Sequence, residues 1–276
     1  MTPVAPKQRA GGIRRRTVFG NKWFLRIASL VVVFSVWEWF GRDLPYTISD
    51  PISIVIAGSQ RFVAQILPAI GQTLEGLGVG FGLALLIGIP LGLLMSISRV
   101  VELALSPYIS AIYATPRVVL IPLLVIWLGA SFQMRVGTVL ISAVFPILLN
   151  VYLGGKEVDR GLIDVGRAFA ASTPRIYLIV LRGSLPYVFT GVRLGLIRGL
   201  MGIIIAEILT ASGGLGFEIS SYAKYFHIDA VFAVVILVGA ISMAFTAVIT
   251  LMTQRTTTPW VYAERRANKQ MKAVSR

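Results

Sequence analysis

Three stretches of this chain, Gly76–Ile97, Val136–Leu153 and Val231–Met252, each run for about twenty residues without a charged side chain. At about 1.5 Å per helical residue, such a run spans the roughly 30 Å hydrocarbon core of a bilayer. Inside lipid a helix is the simplest way to pair every backbone N–H and C=O. Three further stretches have the length but carry interruptions. Trp23–Phe40 holds Arg26 and Glu38 near its ends, where long side chains snorkel to the interface. Ile109–Leu128 is broken by Pro116, Arg117 and Pro122, and Tyr187–Leu209 contains Arg193, Arg198 and Glu207. With 56% hydrophobic residues and a mean hydropathy of +0.79, the chain reads as an all-α integral membrane protein of six transmembrane helices.

The net charge of +14 would suggest nucleic acid in a soluble protein, but its distribution argues otherwise. With the N-terminus inside, eighteen Lys and Arg fall on one side. They lie in residues 1–22, at Arg99, in the loop 154–186 and beyond Gln254. The other side holds Arg42, Arg61, Arg135 and Lys224. The positive-inside rule therefore places both termini and the loop in the cytoplasm, with the basic tails touching anionic lipid and no nucleic acid as partner. This gives a basic tail 1–22, a membrane domain 23–253 and a second basic tail 254–276. Arg14-Arg15-Arg16 before an apolar run resembles an export signal. The run lacks a small-residue cleavage site and ends in Trp37-Glu38-Trp39, so an uncleaved first span is expected.

No cysteine is present, which excludes disulfides and thiolate metal sites. The single histidine, His227, reads as a solvated loop residue beside Asp229. No Gly-rich phosphate loop, nucleophile motif or carboxylate cluster occurs, so catalytic residues, a metal and a bound cofactor are not expected. Outside the membrane, Arg42–Thr73 is expected to turn at Asp50-Pro51 and form an interfacial helix over Ile52–Leu67. In the second span Gly76/Gly80, Gly78/Gly82 and Gly88/Gly92 are each four apart. They share helix faces and admit close approach of another helix, either within the chain or from a second copy. Pro90, Pro116, Pro122 and Pro146 each free a carbonyl, tolerable only beside protein or a water-filled path. Three of them fall in spans three and four, the candidate lining of a passage.

The loop Gly154–Pro186 is basic and partly polar between long apolar runs. A membrane protein that keeps about thirty such residues in one internal loop presents them to a partner. A short helix is expected over Leu162–Ala171, with Asp164 in its first turn complementing the helix dipole and Pro174 ending it. Gly166, Ala168, Ala170 and Ala171 give it a narrow profile that fits a groove, although a solvated surface helix has the same composition.

Asp164-Val165-Gly166, Ala170 and the later Leu185-Pro186 resemble the EAA signature of permease subunits of bacterial ATP-binding-cassette (ABC) importers. The likeness spans roughly Asp50–Trp260 and includes Thr115-Pro116-Arg117, Trp127-Leu128-Gly129, and Phe145-Pro146-Ile147 with Asn150. It continues through Gly191-Val192-Arg193, Ala206-Glu207, Gly214-Leu215-Gly216, and Asp229 with Val231-Phe232-Ala233. This combination is similar to the nitrate/sulfonate/bicarbonate (taurine-type) branch. The resemblance implies a type I importer permease whose cytoplasmic coupling helix docks on a separate ATPase. Two copies would enclose the path, two ATPase subunits would bind ATP and Mg, and an extracytoplasmic binding protein would deliver solute. The coupling residues it implies are Asp164, Gly166, Arg167, Ala168, Ala170, Ala171 and Ser172. The sequence departs from the signature at Asp164, usually glutamate, and at Ala170, usually glycine, a change that a helical backbone there would accommodate. Its proline after the loop comes late, at Pro186.

Ionisable residues within spans default to function. Arg193 and Arg198 lie about 9 Å and 16 Å along the helix from Tyr187, which puts Arg198 near the midplane, where a fixed positive charge favours anions. Arg193 has a second reading as a snorkelling or paired residue. Glu207 has one too, paired with Arg198 or Lys224. Arg198, Arg193, Glu207, Pro122, Pro146 and Asn150 are the candidate pathway residues. The rival classes are an ion-coupled carrier or channel, which calls for acids deep in the spans, and a membrane-embedded enzyme, which calls for intramembrane His, Asp or Glu clusters.

Overall fold

A computed structural model describes residues 22–43, 49–211 and 213–274, and every regular element among them is helical. In chain order these are α1 (Lys22–Asp43), α2 (Pro51–Arg61), a π-helical turn (Phe62–Ile66), α3 (Leu67–Ile97), α4 (Arg99–Ala114) and α5 (Arg117–Leu128). They continue with α6 (Phe132–Lys156), α7 (Arg160–Ala168), α8 (Thr173–Gly183), α9 (Leu185–Thr210), α10 (Leu215–Lys224) and α11 (Ile228–Val274).

The centre of the fold is α6, packed between α3 and α9. Glycines explain the closeness on both sides. A methyl group added at Gly92 of α3 would come within 2.6 Å of the Leu148 carbonyl oxygen, and one at Gly195 of α9 within 3.0 Å of that of Ala143. Neither position tolerates a side chain without moving a backbone. Ala84, Ala143, Ile147, Val151, Val180 and Val188 fill the core where α3, α6, α8 and α9 meet. The glycine pairs of α3 divide by face. Gly76, Gly80, Gly88 and Gly92 meet α6 or α9 of the same chain, whereas Gly78 and Gly82 meet nothing within 4 Å. The first four glycines therefore serve packing within the chain.

Three helical stretches of the described residues are long and apolar enough to cross a membrane: Pro51–Ile97, Phe132–Lys156 and Ile228–Arg255. The number rises to five if each of two bent helix pairs is one span. The first expected span, Trp23–Phe40, is the helix α1. It lies outside that set, rests on α2, and leaves Leu30, Val31, Val32 and Val33 exposed. The third expected span, Ile109–Leu128, is not one helix: α4 and α5 meet at about 100° around Thr115-Pro116. Pro116 has no N–H to continue α4, and the residue before a proline is pushed out of helical geometry; Thr115 is extended at ψ 129°. Helix is present over the expected Ile52–Leu67, but it is continuous with α3 and not a separate element. Asp50 caps α2 by accepting the Ser53 N–H at 3.0 Å, Pro51 opens it, and the π turn carries it straight into α3. At the other end α11 continues beyond Met252 to Val274. Residues 1–21, most of the expected N-terminal tail, lie outside the described residues.

Antiparallel succession gives the bundle two ends. The loop end carries Ile97, Lys156, α7 and α8, and the far end carries Thr73, Phe132, Thr210 and α10.

Candidate functional site

The loop folds as two helices. Asp159 caps α7 by accepting the Gly161 N–H at 2.8 Å, so the helix starts two residues earlier than expected, and Asp164 lies beyond its first turn. Asp159 thus holds the dipole-complementing position expected of Asp164. The helix ends in a Schellman motif: the Ala170 N–H reaches the Arg167 carbonyl at 2.9 Å and the Ala171 N–H that of Gly166 at 2.9 Å. This geometry needs a left-handed residue, and Ala170 occupies it at φ +52°. The helix therefore does not extend to Ala171. The substitution of the family's glycine falls at a backbone position that favours glycine, not in a helical one. Pro174 does not stop α7; it stands in the first turn of α8, where its missing N–H costs no helical bond. Gly166 faces α8, with room for a methyl only 3.3 Å from Ile179.

At 100° per residue α7 has two opposed faces. Arg160, Ile163, Asp164 and Arg167 share one face, with Arg167 and Asp164 3.7 Å apart. Leu162, Val165 and Phe169 share the other, all apolar and exposed, Phe169 to 84%. None of the residues of α7 is buried. Ala168, Ala170 and Ser172 are exposed at its end, and Ala171 is half-buried. The i, i+3, i+7 spacing of Leu162, Val165 and Phe169 was the legible signal for this apolar face.

A cavity of about 450 Å³ lies in the angle between α4 and α5, closed from behind by α6 and α9. Tyr113, Thr115 and Pro116 line it on one side, and Ser142, Arg198 and Met201 on the other. Arg198 sits halfway along α9, exposed, with no hydrogen bond or ion pair among the described residues. Of the six candidate pathway residues, Arg198 lines this cavity. Arg193 and Pro122 are exposed elsewhere on their helices, and Pro146 is buried within the bundle. Asn150 gives its side-chain amide to the Pro146 carbonyl at 2.8 Å. Thr115 and Ser142 also line the cavity; Thr115 belongs to the Thr115-Pro116-Arg117 run, whereas nothing in the sequence distinguishes Ser142 from other small polar residues of spans.

Glu207 is fully buried at the far end. Its carboxylate accepts from Thr73 Oγ1 at 3.0 Å and from the Gly216 N–H at 3.0 Å, and Arg135 Nη1 stands 3.8 Å away. Its ionic partner is therefore Arg135 at the start of α6, not Arg198 or Lys224. A methyl group at Gly214 would collide with the Glu207 carboxylate, so the Gly214-Leu215-Gly216 run lets α10 settle on it. Another carboxylate serves the loop end. Glu102 of α4 receives Lys156 Nζ at 2.7 Å, Tyr152 Oη at 2.6 Å and Arg99 Nη1 at 3.0 Å, fixing α4 to the end of α6.

Residues 84–258 match the family model of the binding-protein-dependent transport system inner membrane component, and the chain belongs to that family. It is 28% identical over 247 residues to the taurine transport system permease protein of Escherichia coli (strain K12), covering 86% of this chain and 89% of that protein. It is 26% identical over 240 residues to the nitrate import permease protein of Synechocystis sp., covering 82% and 86%. A putative aliphatic sulfonates transport permease protein of Bacillus subtilis (strain 168) is 24% identical over 244 residues, covering 86% and 88%. The fold is similar to a chain of the MetNI methionine ABC transporter in inward-facing conformations. The TM-score is 0.63 at 19% identity, covering 70% of this chain and 96% of that one.

Proposed function

We propose that this chain is the membrane passage of an ATP-driven importer for small oxyanions of the sulfonate or nitrate type, driven by an ATPase on separate subunits. The observation that carries the reading is the exposed Leu162–Val165–Phe169 face of α7. Outside lipid, three large apolar side chains on one face of a short helix call for a protein partner. The basic residues of the loop end support a cytoplasmic position for that face and for both termini, and the bacterial relatives support an inner-membrane setting. ATP and Mg belong to the partner, whose closure would shift α7 and, through α8, the packed bundle of α3, α6 and α9.

Arg198 supports an anionic solute. An unpaired guanidinium at mid-depth costs about 2.5–3.5 kcal/mol on insertion scales, so its retention argues for a watered path. The relatives named for taurine, sulfonates and nitrate all concern solutes with a compact oxyanion, which a guanidinium binds through paired N–H donors. Met201 and Val118 leave apolar surface exposed beside the cavity, where a second copy would complete the wall. An extracytoplasmic binding protein would select and deliver the solute, so the path itself needs only weak affinity.

The test is uptake of radiolabelled taurine and nitrate into proteoliposomes holding this chain with its ATPase and binding protein. Uptake that needs ATP and all three components supports the reading. Uptake by this chain alone, driven by an ion gradient, favours the carrier class instead.

A further inference from the structure

The face of α7 turned away from Leu162, Val165 and Phe169 borders a second cavity, of about 540 Å³. Its wall brings together Arg160, Asp164 and Arg167 of α7, Arg99 of α4, and Ser96 and Lys156 at the ends of α3 and α6. The charges do not cancel. Arg99 and Lys156 share the one carboxylate of Glu102, Arg167 is matched by Asp164, and Arg160 has no hydrogen bond or ion pair among the described residues. A gap between α7 and the bundle, lined by an excess of cations, is built for an anion with several oxygens.

We propose that this cavity binds a phosphate group, supplied by the headgroup of an anionic phospholipid, and so ties α7 to the ends of α3, α4 and α6. The lipid source is favoured by what flanks the cations. Leu103 lies one helical turn from Arg99, Leu153 one turn from Lys156, and both are exposed apolar side chains at the same end of the bundle. They offer a track for acyl chains that free phosphate would not use. Binding there stiffens α7 from behind and leaves its apolar face open. The proposal places the loop end at a membrane surface, but it needs neither the ATPase nor the solute.

The experiment is hydrogen exchange of the α7 amides, on the full chain in nanodiscs. The discs are pure phosphatidylcholine, phosphatidylcholine with phosphatidylglycerol, or pure phosphatidylcholine with added inorganic phosphate. Phosphatidylglycerol should slow exchange in α7, and Arg160→Gln should weaken that response about fivefold, the effect of one surface cation. Arg160→Lys should restore most of it. Arg175→Gln, which removes an exposed cation of α8 away from the cavity, should leave the response intact. Slowing by inorganic phosphate in pure phosphatidylcholine supports the phosphate site and assigns its source to the solution. No slowing in either arm, or equal responses from Arg160→Gln and Arg175→Gln, overturns it. Because no ATPase is present, that failure is separate from any failure of the importer reading.

Discussion

Thr73 Oγ1 lies 3.0 Å from both carboxylate oxygens of Glu207 and 2.9 Å from the Leu215 amide nitrogen. One hydroxyl on α3 therefore donates to α9 while accepting from the first turn of α10, all in a region closed to solvent. Removing it leaves a carboxylate and an N–H short of partners. Thr73→Val should destabilise the protein by about 1.5–3 kcal/mol, the range for hydrogen bonds to charged groups. Thr73→Ser should recover most of this, as read from thermal unfolding in detergent.

Arg135 and Glu207 should behave as a coupled pair. The Arg135 side chain is only 11% exposed, and its Nε and Nη1 lack a hydrogen bond among the described residues, so the nearby carboxylate is its main compensation. Removing either charge strands the other in a buried site. A double-mutant cycle of Arg135→Gln and Glu207→Gln should show a coupling of about 0.5–3 kcal/mol, the double variant being less damaged than the sum of the singles. Strict additivity would mean that the 3.8 Å approach contributes nothing.

Ala170 holds a left-handed backbone that costs a non-glycine residue about 1–2 kcal/mol. Ala170→Gly should relieve this and slow hydrogen exchange in the last turn of α7. Ala170→Val, with a branched Cβ at the same φ, should speed it. Equal exchange in all three would contradict the Schellman end of this helix.

Arg198→Ala should lower ATP-dependent anion uptake at least about tenfold, the loss expected for one charge-assisted hydrogen bond. Arg198→Lys should keep part of the activity, since the charge remains but the paired donors do not. Uptake by Arg198→Ala at the wild-type rate would remove the guanidinium from the path.

Much of the fold was legible because lipid imposes a strict rule: charge-free runs of helical length marked α3, α6 and α11, and the bounds of α9 differ from the expected span by two residues at most. Proline was legible as a breaker but not in its role. Pro116 separates α4 from α5, Pro51 and Pro174 open helices, and Pro90 and Pro146 sit inside them; only the neighbouring backbone decides among these. Asp159, the cap of α7, stands one residue before Arg160, but Asp164 carries the same acidic signal five residues on, and the sequence alone does not choose between them. The partners of Glu207 were not readable: Thr73 lies 134 residues away, and no local pattern ties it to α9. Arg198 was legible as a charge at mid-depth, but its cavity depends on a bend between α4 and α5 that sequence marks only as an interruption.

On the proposed function, α7 is the point where a separate ATPase takes hold. The most direct measurement is co-purification of that ATPase with Leu162→Glu/Phe169→Glu, two changes on the exposed face that disturb no buried contact. The ATPase should be lost while the permease elutes at its normal size and melts at its normal temperature. An ATPase that stays bound to the double variant would contradict it.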